Sequence, residues 1–194
     1  MNTEESADGE PSPPTFTAFV GAKRLASGAL TDVALAAKKA LDRGQPVLIY
    51  NDATGRALDI DSRGSDSDVL ARLANPSPAP TQPRTRGRPR LGVIAREVTL
   101  LPRHWQWLGT QPGGASVAIR KLVEAARRTN QEADRSRARH EAAYHFMSAM
   151  AGNLAHFEEA ARALFAKDRN RFSELTAGWP PDIRAHSLKL AFAE

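Results

Sequence analysis

Four arginines at alternate positions, Arg84, Arg86, Arg88 and Arg90, carry the clearest chemical signal in this chain. A guanidinium keeps its charge at every working pH, and its fork of N–H donors matches phosphate oxygens. Such a tract is suited to gripping a polyanion, not to moving protons. Two other groups of side chains invite a chemical reading and fall short of one. His140, His145 and His156 lie near Glu141, Glu158 and Glu159, but there is no His-Glu-x-x-His and no histidine pair four residues apart. Surface pairs along a helix account for them better than a metal or acid/base site does. Asp59, Asp61, Asp66 and Asp68 break the order of a calcium loop and lack its bidentate glutamate, so turn and cap roles fit them better. The absence of cysteine removes thiolate catalysis, disulfides and cysteine-based zinc sites. No G-x-S-x-G, Walker-type or dinucleotide glycine pattern occurs. No catalytic residue, metal or cofactor is expected, and the chain does not read as an enzyme.

The charge is unevenly spread. Of 194 residues with a net +5, residues 84–139 carry 13 Lys+Arg against 4 Asp+Glu, a local +9. Residues 1–83 carry 8 against 11, and residues 140–194 carry 6 against 7. Basic character confined to the middle suggests a polyanionic partner there, the bland alternative being a solvated linker and a salt-bridged helix face. The N-terminus has no apolar h-region, and no run approaches the roughly 18 apolar residues of a membrane span. The expectation is a cytoplasmic protein with no membrane partner.

The elements that would position the basic tract follow in chain order. Residues 1–14 are acidic and rich in proline and read as a disordered tail. Residues 15–74 read as a small ββαββα-like module. Phe16, Ala18 and Val20 alternate, Lys23–Ala26 returns, and Leu30 to Leu41 has helical periodicity closed by Gly44. Pro46–Tyr50 is a continuous apolar run, the pattern of a strand buried on both faces. Asn51–Gly55 supplies turn chemistry, Arg56–Ile60 closes a hairpin, and Ser65 or Asp66 caps a short helix. Residues 75–92 are a linker rich in proline and arginine. Residues 93–128 read as strand, helix, Gly-Gly turn and second helix, with Ser116 as the second helix's N-cap. Thr129–Arg139 either continues that helix or loops out. The remainder, to residue 194, is a helical unit of three or four helices, divided near Gly152-Asn153. The fold class is α+β.

Arg86-Gly87-Arg88-Pro89-Arg90 resembles an AT-hook, the minor-groove module with a Gly-Arg-Pro core between basic residues. The resemblance implies a narrow extended arm whose arginines, with Arg84 beside them, lie in A·T-rich DNA. A basic linker without groove preference is the alternative. The order of elements over 93–128 resembles the ribbon-helix-helix repressors, in which paired strands from two chains read the major groove. That resemblance implies a homodimer, places Arg96 and Thr99 at the ribbon, and makes the helix start at Ser116 a phosphate clamp. A strand-helix-helix piece of an ordinary core is the alternative. Over nearly its whole length the chain resembles an uncharacterised bacterial family of unknown function, DUF2239. The resemblance rests on TFTAFVG at Thr15, VLIYNDATGRALDID at Val47, RGRPRLGVIAREVTLLPRHWQWL at Arg86, QPGGAS at Gln111 and FMSAMAGNLAHFEEAARALFA at Phe146. It implies a small bacterial protein and no particular activity. The expected function is DNA binding, by a dimeric transcriptional regulator or a nucleoid-type binder. The alternative is a protein-interaction or adaptor protein whose basic tract is a tether.

Overall fold

Val20 pairs with Lys23 across a two-residue turn in which Gly21 takes φ +55°, a backbone shape open to glycine at little cost. That hairpin joins β1 (Phe16–Val20) to β2 (Lys23–Gly28) in a computed structural model that describes residues 14–74, 94 and 96–192. The expected tail, apart from Pro14, and the linker over 75–92 lie outside the described residues. After the hairpin come α1 (Leu30–Leu41), β3 (Val47–Asn51), β4 (Ala57–Leu58) and α2 (Asp66–Ala74). The order is ββαββα, and the class is α+β. Then follow α3 (Pro102–Gly109), α4 (Gly114–Ala151), α5 (Phe157–Phe165), α6 (Arg169–Leu175) and α7 (Pro181–Phe192).

The chain divides into two compact units. One is drawn from Met1–Pro76 and Ser136–Glu194, the other from Ser77–Arg135. In the first, the antiparallel sheet has the order β2-β1-β3-β4. Side chains alternate along β1, so Phe16 and Ala18 join Val33 and Ala37 of α1 with Ile49 on one face. Phe19 points the other way, into a cluster with Tyr50, Phe146, Met147 and Leu164. Small residues on α1 (Ala34, Ala37, Ala40) are fully or nearly buried and let that helix lie close to the sheet. On the opposite face Phe146 meets Phe19 at 5.3 Å and Tyr50 at 5.0 Å between ring centroids, the second pair edge-on.

Three expectations need correction. The strand buried on both faces along its length is β1, where Thr17, Ala18 and Phe19 are fully buried; β3 is so only at Ile49 and Tyr50, and Leu48 is 49% exposed. Both strands are interior in the sheet, so the helices decide this: α1 and the Phe146 cluster cover β1 along both faces but leave the Leu48 end of β3 open. The expected strand over 93–101 is not formed among the described residues. Residues 96–101 have no regular structure and pair with no strand. Ser116 does not cap a helix. α4 begins at Gly114, so Ser116 lies within its first turn, and the helix runs without a break for 38 residues. Between Ala115 and Ala151 the sequence has neither proline nor glycine, so nothing ends the helix until Gly152.

The β3–β4 turn fixes the sheet against α4. Asn51 N–H donates to Arg56 O, Gly55 N–H to Asn51 O, and Ala53 N–H to Asn51 Oδ1. Gly55 has φ +64°, and a Cβ built on it would lie 1.8 Å from the carbonyl oxygen of Ala142. Any side chain there meets both a left-handed backbone and a collision with helix backbone. We expect Gly55→Ala to cost at least about 3 kcal/mol in chemical denaturation, more than the ~1–2 kcal/mol of the backbone conformation alone. A change below about 1 kcal/mol would mean that α4 does not press on this turn.

Candidate functional site

The Ser77–Arg135 unit is built around one sharp break. Pro102 opens α3 at a position that needs no N–H, and Thr110 ends it, its hydroxyl donating to Trp107 O. Gly113 and Gly114 then take φ +84° and +75°, which turns the chain into α4. From Arg120 to Arg135 every residue of α4 is exposed. Arg120, Lys121, Arg127, Arg128 and Arg135 stand on this stretch with only Glu124, Glu132 and Asp134 as acids. Arg127 and Arg128 reach Glu124 at 3.2 and 4.0 Å, but these pairs are solvent-exposed and bind their partners weakly. Lys121, Arg128 and Arg135 recur every seven residues, so they share one helix face and span about 21 Å of its axis.

The same unit holds an apolar cleft of about 350 Å³. Val98 and Leu100 from the segment before α3, His104 and Trp107 from α3, and Ile119, Leu122 and Val123 from α4 wall it. Leu108 lies buried at its base among the few covered side chains of this unit.

Among the residues expected to touch DNA, Arg84, Arg86, Gly87, Arg88, Pro89 and Arg90 lie outside the described residues. Arg96 and Thr99 are exposed on the 96–101 segment, with Glu97 between them. They are not presented by a ribbon. Ser116 offers no cap, and its carbonyl accepts from Arg120 Nε at 3.1 Å. The exposed basic stretch of α4 was not singled out from sequence, although its seven-residue recurrence was readable there. The histidines considered for metal or proton chemistry are apart in role. His140 is buried beside Phe192, and burial lowers its pKa, with Lys167 and Arg139 adding to the effect. His145 Nε2 faces Arg56 Nη2 at 3.3 Å, and His156 precedes α5 in a left-handed conformation. No group of three side chains suited to a metal ion occurs among the described residues.

A polar cluster that the sequence reading missed lies where the sheet meets α7. Asp52, just past β3, accepts from Thr15 Oγ1 at 3.0 Å, Thr17 Oγ1 at 2.9 Å and Lys189 Nζ at 2.9 Å. Because Thr17 gives its one proton to the carboxylate, Ser27 donates to Thr17 across 3.0 Å. The Asp52 side chain is only 7% exposed, so these donors replace water. His186 Nε2 stands 3.5 Å from Asp52 Oδ1, too far for a good hydrogen bond, and its ring packs on Phe146 and Phe19. Burial pushes the His186 pKa down to about 4, outweighing the attraction of Asp52, while Lys189 and Arg24 push the same way. At neutral pH the imidazole is therefore uncharged and its contact with Asp52 is not an ion pair. With its carboxylate committed to three donors, the cluster ties three strands to α7, and both ring nitrogens of His186 lie buried beside it without a hydrogen-bond partner.

The matched sequence pattern spans nearly everything described above. Residues 15–191 match a family described as "Uncharacterized protein conserved in bacteria (DUF2239)". The chain belongs to the DUF2239 family. Neither a comparison with curated proteins nor one with solved structures gives a match. Membership in DUF2239 thus supplies a lineage in bacteria, and the residues supply the chemistry. No helix among the described residues is long and apolar enough to cross a membrane.

The buried imidazole makes a measurable acid signature. Above pH 6.5 His186 is neutral in both the folded and the unfolded chain and adds no pH dependence. As pH falls from 6.5 towards about 4 the unfolded chain takes up a proton that the folded chain refuses, so stability declines. We expect the difference between the native protein and His186→Leu to change by on the order of 3 kcal/mol across that window in urea titrations. Parallel pH profiles for the two proteins would show that His186 does not carry it.

Proposed function

We propose that this chain is a DNA-binding protein of the bacterial cytoplasm, holding the phosphate backbone through its basic middle. The observation that carries the reading is the stretch Arg120–Arg135, exposed along its whole length and bearing five cations against three acids. A helix segment exposed on every side has little core to serve, so its charge is available to a ligand. The arginine arm at Arg84, Arg86, Arg88 and Arg90 adds four more cations to the same region. In this reading the arm follows the minor groove, with Gly87 and Pro89 keeping it narrow, while Lys121, Arg128 and Arg135 meet phosphates. Arg96 and Thr99 contribute at the exposed segment before α3. Regulation of transcription and packaging of the chromosome are both within reach of such a protein; a preference for A·T-rich sites points to the arm.

Binding to short A·T-rich and G·C-rich duplexes, followed by fluorescence anisotropy across a salt series, tests this. Each phosphate that the protein no longer neutralises should lower the log–log salt slope by roughly 0.9. Lys121, Arg128 and Arg135 changed together to alanine should therefore lower it by between about 2 and 3, equally on both duplexes. Arg86, Arg88 and Arg90 changed to alanine should also remove the A·T preference. Absence of binding near physiological salt sinks the reading and leaves the adaptor alternative, in which the basic tract is a tether.

A further inference from the structure

The exposed stretch of α4 carries a neutral amide in the midst of its charges. Gln131 lines a shallow groove of about 330 Å³ together with Glu124, Arg127, Arg128, Asp134 and Arg135. Of the four positions one turn away from it, 127, 128, 134 and 135, three are arginine. Counting about 100° per residue around the helix, Arg127 stands ~40° to one side of Gln131. Arg135 and Arg128 stand ~40° and ~60° to the other side. Both acids of the groove are occupied: Glu124 accepts from Arg127 Nη1 at 3.2 Å, and Asp134 is engaged within the protein. Among the described residues nothing hydrogen-bonds the Gln131 amide.

We propose that this stretch of α4 lies in the major groove of duplex DNA and that Gln131 reads adenine there. The proposal rests on the DNA-binding reading and adds recognition of a base to the phosphate contacts. Three features carry it. Arg120–Arg135 is exposed on every side, and a bare helix about 10–12 Å across fits a groove about 12 Å wide. A helix seated there meets a phosphate backbone on each flank, and the arginines stand on both sides of Gln131. A helix lying along a single strand's phosphates would need them on one side only. The carboxamide itself adds nothing to the attraction for phosphate, but it matches the exposed edge of adenine. Its oxygen accepts from the N6 amino group while its NH₂ donates to N7.

Gln131→Ala keeps every charge, and alanine at an exposed helical position preserves the helix, so the far-UV circular dichroism should not change. Duplexes with a randomised centre, bound to the full chain, recovered and sequenced, supply the test. The native protein should enrich adenine at a fixed position. Replacing that adenine by 7-deazaadenine, which lacks the N7 acceptor but keeps the minor-groove edge, should weaken binding about tenfold. Gln131→Ala should bind the selected duplex about tenfold more weakly and ignore the 7-deaza replacement, with the salt slope of the native chain. Arg86, Arg88 and Arg90 changed to alanine should leave the 7-deaza penalty in place, because the arm is assigned to the other groove. Recovered duplexes without a base preference, or a preference that survives Gln131→Ala, overturn this proposal and leave phosphate binding standing. Retention of no duplex at all sinks the DNA-binding reading and this proposal with it.

Discussion

Strand β1 has no face to offer to water, and the larger unit is arranged to satisfy that condition. Its apolar residues are dealt with simply, by α1 on one side and by Phe146 and its neighbours on the other. Thr17 is the demanding residue, since a fully buried hydroxyl without partners would cost on the order of 1–3 kcal/mol. Asp52 answers that need, and its own charge must then be answered in turn, which brings in Thr15 and Lys189. Arg24 N–H donates to Asp182 Oδ2 at the start of α7, so a second polar contact closes the same seam. Burial of one hydroxyl thus propagates into a set of contacts that fixes where the last helix must lie.

The α3–α4 unit follows the opposite logic. It has few buried side chains, an apolar cleft open to solvent, and a helix that leaves it fully exposed. Such a helix is held by its unbroken run of helix-forming residues and by neighbours one turn apart, as with Arg127 and Glu124. In the larger unit most buried polar groups, Asp52 and Thr17 among them, find partners inside the fold, though the His186 ring nitrogens do not; in this one both the charge and the apolar surface face outward. The larger unit thus carries most of the buried core, and the smaller one the surface open to a ligand.

Local signals in the sequence were reliable where local forces decide. The periodicity of α1 and its glycine stop, the turn at Asn51–Gly55 and the proline that opens α3 all describe what the backbone does. What failed were inferences about context. A run of apolar residues at Val47–Tyr50 looked like a doubly covered strand along its length, but the packed helices cover both faces only at Ile49 and Tyr50, and Leu48 has water on its side. The stretch at 93–101 has the composition of a strand, yet a strand requires a partner, which composition does not supply. The Gly-Gly turn with a serine beyond it suggested a cap three residues too late, because glycine itself tolerated the turn into α4. Asp52 read as turn chemistry since nothing near it in sequence hinted at His186 and Lys189, more than 130 positions away. The clue available was that His186 and Lys189 are three apart on α7, facing one way. The basic face of α4 was within reach of the same spacing rule, but the expectation of several short helices concealed it.

The larger unit is discontinuous, and this shapes how it is made. β1 and β2 leave the ribosome early, but Phe19 and Thr17 face helices that arrive after more than a hundred further residues. α7, which supplies Lys189 to Asp52 and Asp182 to Arg24, comes near the end of translation. Until then the sheet is covered by α1 alone, with one apolar face and Asp52 only partly satisfied. Contacts this distant in sequence slow folding and prolong the exposure of sticky surface. One face of the sheet therefore stays uncovered for the several seconds of synthesis that separate β1 from α7.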